Sequence, residues 1–217
     1  AYHDLFIDYT DEEGEEAWEK WWGSGWIRAG IAGYTPSGSD ELTRTLDYMP
    51  DFKTEETKDE GLPPIMVTKW GKEKGADYEK YVIPSEKALR KDLKTAPADY
   101  IVKWLAAWVE EFGIDGFRCD TAKHVDIERW AELKKACTAS LEKWRKANPS
   151  KPGASWKEPF WMTGEVWNHG VKSDEYYENG FDSIINFEFI GTDLLGPSNK
   201  PADVLDEAYE QYSKTLR

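Results

Sequence analysis

In GFRCDTAKH, residues 116–124, Arg118 and Asp120 stand two positions apart at the end of a short apolar run, and Lys123 and His124 follow. Side chains of a strand alternate between faces, so Phe117 and Cys119 share one face while Arg118 and Asp120 share the other. An arginine beside an aspartate favours the carboxylate, which predicts an ionised Asp120 able to act as a nucleophile. For an isolated pair of this kind the alternative is a structural ion pair. TGEVW, residues 163–167, adds Glu165 at the end of the next predicted strand, beside Asp120. Two carboxylates on neighbouring strands suit glycoside hydrolysis: one attacks the anomeric carbon and the other, kept protonated, gives its proton to the leaving oxygen. Trp161, Val166 and Trp167 are candidates for apolar surroundings that raise the second pKa. A retaining reaction predicts carboxyl groups roughly 5 to 5.5 Å apart.

These residues need a scaffold, and the second half of the chain supplies one. PADYIVKWLAAWVEEFG places Ile101, Trp104, Leu105, Trp108 and Phe112 at helical spacing, with Pro97 and Asp99 in the opening turn and Gly113 at the end. A strand, IDGFRCD, comes next. DIERWAELKKACTASLEKWRKANP then carries a stripe of Ile127, Trp130, Leu133, Cys137, Leu141 and Trp144, stopped by Asn148-Pro149. FWMTGEVW and FDSIINFEF read as two more strands, with a short helical patch at SDEYYENG between them and a last helix over PADVLDEAYEQYSKTL. Strands alternating with helices predict right-handed βαβ units and a parallel sheet, an α/β fold. If that sheet is a barrel with helices outside, Arg118 and Asp120 point inward near the strand's C-terminal end, where such barrels build active sites. Residues 1–95, rich in Gly, Pro, Asp, Glu and Lys, predict a mostly irregular lobe with short helices. Residues 96–217 form the second unit.

Composition narrows the partners. The 217 residues carry 42 Asp plus Glu against 28 Lys plus Arg, a net charge of -14, which disfavours nucleic acid and anionic membranes. No apolar run reaches the roughly 18 residues needed to span a membrane. Twelve Trp suit either a core or a sugar-binding surface. Two cysteines, Cys119 and Cys137, lack the spacing of a metal site or a disulfide framework. The opening AYHDLFIDYT has no basic or apolar leader region, so a signal peptide was removed or lies outside this sequence.

GFRCDTAKH resembles the second conserved region of the α-amylase family of retaining glycoside hydrolases, and TGEVW resembles its third. YMPDFKTEE, residues 48–56, is similar to the family's short Leu-Pro-Asp motif in the lobe before the fourth barrel strand. WMTGEVWNHG and the stretches behind it most resemble the long periplasmic members found in enteric bacteria. The resemblance implies part of a (β/α)8 TIM barrel, about its strands four to six, preceded by an inserted lobe. It implies Asp120 as nucleophile, Glu165 as general acid and base, and Arg118 as the arginine that orients and charges the nucleophile. Lys123 and His124 match the pair that binds glucose on the leaving-group side. The His124 backbone carbonyl and the Asp51 side chain match ligands of a structural calcium, an ion that prefers oxygen donors. Trp167 and His169, in the loop after Glu165, are further candidates to line the sugar groove, although a solvated loop histidine is the alternative for His169.

The family's Asn-His pair has no match before residue 114, and no His-Asp pair follows FDSIINFEF. The resemblance therefore implies an internal piece that holds two of three catalytic acids, with the rest of the barrel expected from adjoining polypeptide. It implies an α-glucan substrate and a periplasmic or secreted location. Two other readings stay open. Asp120, Glu165 and Glu188 near three strand ends suit a magnesium-dependent enolase-type barrel, although Arg118 is an unwelcome cation there. A non-catalytic glucan-binding piece is the third.

Overall fold

A computed structural model describes residues 19–46, 49–73, 76–187, 209–210 and 212–214. His3, Glu188 and most of the predicted last helix lie outside the described residues; 209–210 and 212–214 of that helix are helical.

The second half is a parallel sheet backed by two long helices. Helix α4 (Pro97–Phe112) starts on Pro97 with Asp99 in its first turn, and ends where Gly113 takes φ +67° and donates its N–H to the Val109 carbonyl at 2.9 Å. A Cβ at Gly113 would lie 2.3 Å from the Trp144 ring, so glycine serves both the turn and the packing. Strand β3 (Gly116–Cys119) follows, then a 3-10 turn over Ala122–His124 and helix α5 (Ile127–Ala147). Strand β4 (Trp161–Gly164), a short helix α6 (Glu175–Glu178) and strand β5 (Ser183–Ile184) complete the described order. The three strands pair in parallel in the order β3-β4-β5, as the alternation of elements predicts.

The core between sheet and helices joins Val109 of α4 and Trp130, Leu133, Cys137 and Leu141 of α5 to Cys119, Phe160, Met162 and Phe181. Each such side chain contributes about 1.5–3 kcal/mol on burial. The α5 stripe is the predicted one. Helix α4 differs from expectation, because Trp108 and Phe112 are about half exposed and pack on each other at 5.3 Å with their rings tilted by 38°. Its buried and partly buried apolar residues divide between two cores: Val102, Leu105, Ala106 and Val109 meet the sheet side, while Tyr100, Ile101 and Trp104 meet the lobe.

The lobe is irregular with short elements: strands β1 (Ile27–Arg28) and β2 (Asp51–Phe52), paired antiparallel, and helices α1 (Pro64–Lys72), α2 (Ala76–Tyr81) and α3 (Pro84–Lys87). Trp26 anchors it to α4, lying parallel to Trp104 at 6.0 Å with its ring N–H donating to the Gly61 carbonyl at 3.0 Å. Trp22 packs edge-on to Phe52, so these lobe tryptophans are core residues. A polar latch adds to the apolar contact: Thr54 Oγ1 accepts from the Asp126 N–H at 2.9 Å, and the Thr54 carbonyl accepts from Arg129 Nε at 3.3 Å. Cys119 and Cys137 are free, and burial pushes both thiols up to about 12. No described helix is long and apolar enough to cross a membrane.

Candidate active site

The register of the sheet places the two acids side by side. Arg118 lies opposite Thr163 and Cys119 opposite Gly164, so Asp120 and Glu165 each come one residue later at the C-terminal ends of β3 and β4. The Glu165 N–H donates to the Cys119 carbonyl, and the Glu165 carbonyl accepts from the Ala122 N–H, both at 2.8 Å. Just before Glu165, a Cβ on Gly164 would fall 2.8 Å from Ile184 Cδ1 and 2.9 Å from the Phe181 ring. Only glycine lets β4 settle that closely. Just after Asp120, Thr121 takes φ +45°, a left-handed conformation uncommon for a β-branched residue, which turns the chain away from the strand.

The faces alternate as predicted. Phe117 meets Phe160 edge-on at 4.9 Å and Cys119 is buried, while the Arg118 and Asp120 side chains stay 56% and 63% exposed on the other face. Arg118 Nη1 donates to Asp120 Oδ1 at 2.7 Å and its Nη2 donates to Glu165 Oε2. The two carboxyls also hydrogen-bond to each other. Their affinities for a proton are driven apart. Arg118 and the bond from Glu165 hold the Asp120 carboxyl below the usual carboxylate range. The bond to Asp120, then burial and the Asp120 charge, raise Glu165 above it, against the opposing pull of Arg118. The shared proton therefore resides on Glu165. The apolar surroundings expected to do this are not the leading cause, since Val166 belongs to the helix-side core and Trp167 is 55% exposed.

Lys123 Nζ donates to Glu41 of the lobe at 2.8 Å, and this hydrogen bond holds the Glu41 carboxyl below its usual range. His124 borders a cavity of about 400 Å³ between the lobe and helices α4 and α5, and Asp51 borders the same cavity. Asp51 Oδ2 accepts from buried Arg28 at 2.7 Å, and among the described residues no three His, Cys, Asp or Glu side chains cluster as metal ligands. Trp167 packs on Phe187 at 5.1 Å and lines a groove of about 550 Å³ with Glu41, Lys172 and Tyr176. His169 differs from the solvated loop residue considered above. It is 2% exposed, with Nε2 2.7 Å from Asp174 Oδ2, so it braces the groove wall from behind. Asp174 in turn caps α6 by accepting from the Tyr176 N–H. Sequence reasoning passed over Glu41 and Asp174. The cap spacing in SDEYY was a signal for Asp174, but nothing local marks Glu41, whose partner is 82 positions away.

The chain is 45% identical over 184 residues to the periplasmic α-amylase of Escherichia coli (strain K12), an alignment covering 85% of this chain and 25% of that protein. The chain belongs to the α-amylase family. A Streptomyces lividans α-amylase matches this family member at 34% identity over 84 residues, 38% of this chain and 8% of its own length. Among solved structures, an Anoxybacillus α-amylase superposes on 45% of this chain and 20% of its own, at 27% identity and a TM-score of 0.33. No family model matches the sequence. The chain thus spans about a quarter of the length of the Escherichia coli relative.

Proposed function

We propose that the full-length protein hydrolyses internal α-1,4-glucosidic bonds of starch and maltodextrins by a retaining double displacement. The observation that carries this reading is the placement of Asp120 and Glu165 side by side at the ends of β3 and β4, both hydrogen-bonded to Arg118. Asp120 attacks the anomeric carbon as the bond from that carbon to the glycosidic oxygen breaks, and Glu165 passes its proton to that oxygen. The direct bond between the carboxyls opens to admit the substrate, while Arg118 keeps the charge on Asp120. The products of this step are a β-glycosyl ester on Asp120 and a released glucan with a new hydroxyl. Glu165, now a carboxylate, takes a proton from water as that water attacks the same carbon, which frees Asp120 and releases the sugar in its original α configuration. Lys123 and His124 bind glucose on the leaving-group side, with Trp167 as an apolar wall.

In this reading, adjoining polypeptide completes a (β/α)8 barrel over the inner face of the sheet, where Arg118 and Trp161 are more than half exposed. The printed name of the Escherichia coli relative supports a periplasmic or secreted location. A structural calcium would be held by the Asp51 carboxylate and the His124 carbonyl, both oxygen donors at one cavity, and would tie lobe to barrel. Its removal is testable: EDTA is expected to lower the thermal midpoint of the full-length protein, with recovery on adding calcium. An identical midpoint with and without calcium would count against the site.

The pH profile tests the assigned protonation states. Activity is expected to fall on the acid side as Asp120 takes up a proton and on the alkaline side as Glu165 loses one. Because Arg118 lowers both affinities for a proton, Arg118→Met is expected to move both limbs of kcat/KM to higher pH in whatever activity survives. An acid limb that stays in place would remove Arg118 from this role.

A further inference from the structure

We infer that the loop between α5 and β4 carries a second carbohydrate site, with Trp156 as the platform for an α-glucan chain. The choice of glucan rests on the proposed function; the site itself rests on the loop. Trp156 is 56% exposed on a segment that is otherwise tied down. The Trp156 N–H donates to the Gly153 carbonyl at 3.1 Å, the Ala154 N–H to Lys151 at 3.2 Å, and Arg145 Nη1 to the Glu158 carbonyl at 2.7 Å. Gly153, at φ +78°, lies against the indole, whose ring is 3.8 Å from where a Cβ would sit. The backbone that carries the ring is therefore held in place before any ligand arrives, and a two-torsion aromatic on an ordered loop loses little conformational entropy on binding.

Beside the ring runs a cleft of about 340 Å³ lined by Thr138, Glu142, Arg145, Lys146 and Lys157. Sugar hydroxyls both donate and accept, and this wall offers both: ammonium and guanidinium donors, carboxylate acceptors and a hydroxyl. Arg145, which lines the cleft, has its Nε buried without a hydrogen-bond partner. Glu142 and Glu158 among the cations, and the overall charge of -14, argue against a polyanion. The site is separate from the acids. Trp156 lies ahead of β4, and the four steps from Trp161 to Glu165 advance about 13 Å at about 3.3 Å each.

The test uses the full-length protein and two readouts: adsorption to insoluble starch granules, and hydrolysis of a short soluble maltooligosaccharide. Trp156→Ala is expected to weaken adsorption about tenfold while kcat/KM on the short substrate stays unchanged. Trp156→Tyr, which keeps a stacking ring, is expected to retain most adsorption and guards against a folding artefact. Granule adsorption by Trp156→Ala equal to that of the parent would overturn the inference and leave the proposed function standing. A parent protein that adsorbs to granules but cleaves no maltooligosaccharide would instead overturn the hydrolase reading alone.

Discussion

Asp120→Asn in the full-length protein is expected to lower kcat on starch by at least about three orders of magnitude, and Glu165→Gln by about two to four. The two losses have different origins, and the substrate separates them. Asparagine cannot supply the electron pair that forms the glycosyl ester, so Asp120→Asn stays inactive whatever the leaving group. Glutamine cannot donate the proton that Glu165 holds, so the first step of Glu165→Gln recovers on a substrate whose leaving group needs no proton, such as a glycosyl fluoride. The structure motivates this division because the same hydrogen bond that stabilises charge on Asp120 retains the proton on Glu165. Starch cleavage at the parental rate by either variant would contradict the assignment. Equal rescue of both by the fluoride would contradict the division of roles.

The second large effect is on stability. Arg28 is 4% exposed, donates to Asp51 at 2.7 Å and also pairs with Glu55, and it stands opposite Asp51 in the β1–β2 register. Removing one partner of a buried ion pair costs about 3–5 kcal/mol, because the charge left behind has no replacement for its lost water. Arg28→Met is expected to destabilise the full-length protein by that amount, with proteolysis beginning in the lobe. Adding Asp51→Asn to Arg28→Met is expected to recover part of the loss, since the stranded charge goes with it. Asp51 is only 12% exposed, and burial already raises its carboxyl above the usual range despite the arginine. A loss under about 1 kcal/mol for Arg28→Met would show that this pair does not hold the lobe together.

The elements that carry the acids were legible because their signals are local. Period-two alternation in GFRCD separates the charged face from the core face, and the stripe from Trp130 to Leu141 marks the buried side of α5. What escaped reading depends on contacts remote in sequence. Helix α4 is buried on two sides by two cores, so its largest apolar residues do not form one inward stripe; Trp108 and Phe112 remain outside. The two-residue strands β1 and β2 have too short a pattern to recognise, and Arg28 gives no sign that it will be buried between acids until Asp51 is brought opposite it. The proton on Glu165 was expected, but its leading cause is Asp120 across the strand pair instead of nearby aromatic rings. His169 was ambiguous for a similar reason: Asp174, five positions on, is what draws it into the wall.

The central claim is that Asp120 becomes covalently attached to sugar. Peptide mass spectrometry of the full-length protein after incubation with an activated fluoroglucoside tests it most directly. One glycosyl adduct is expected on the peptide containing Asp120, absent from Asp120→Asn. An adduct on a different carboxylate, or turnover with no adduct and a β-configured first product, would contradict it.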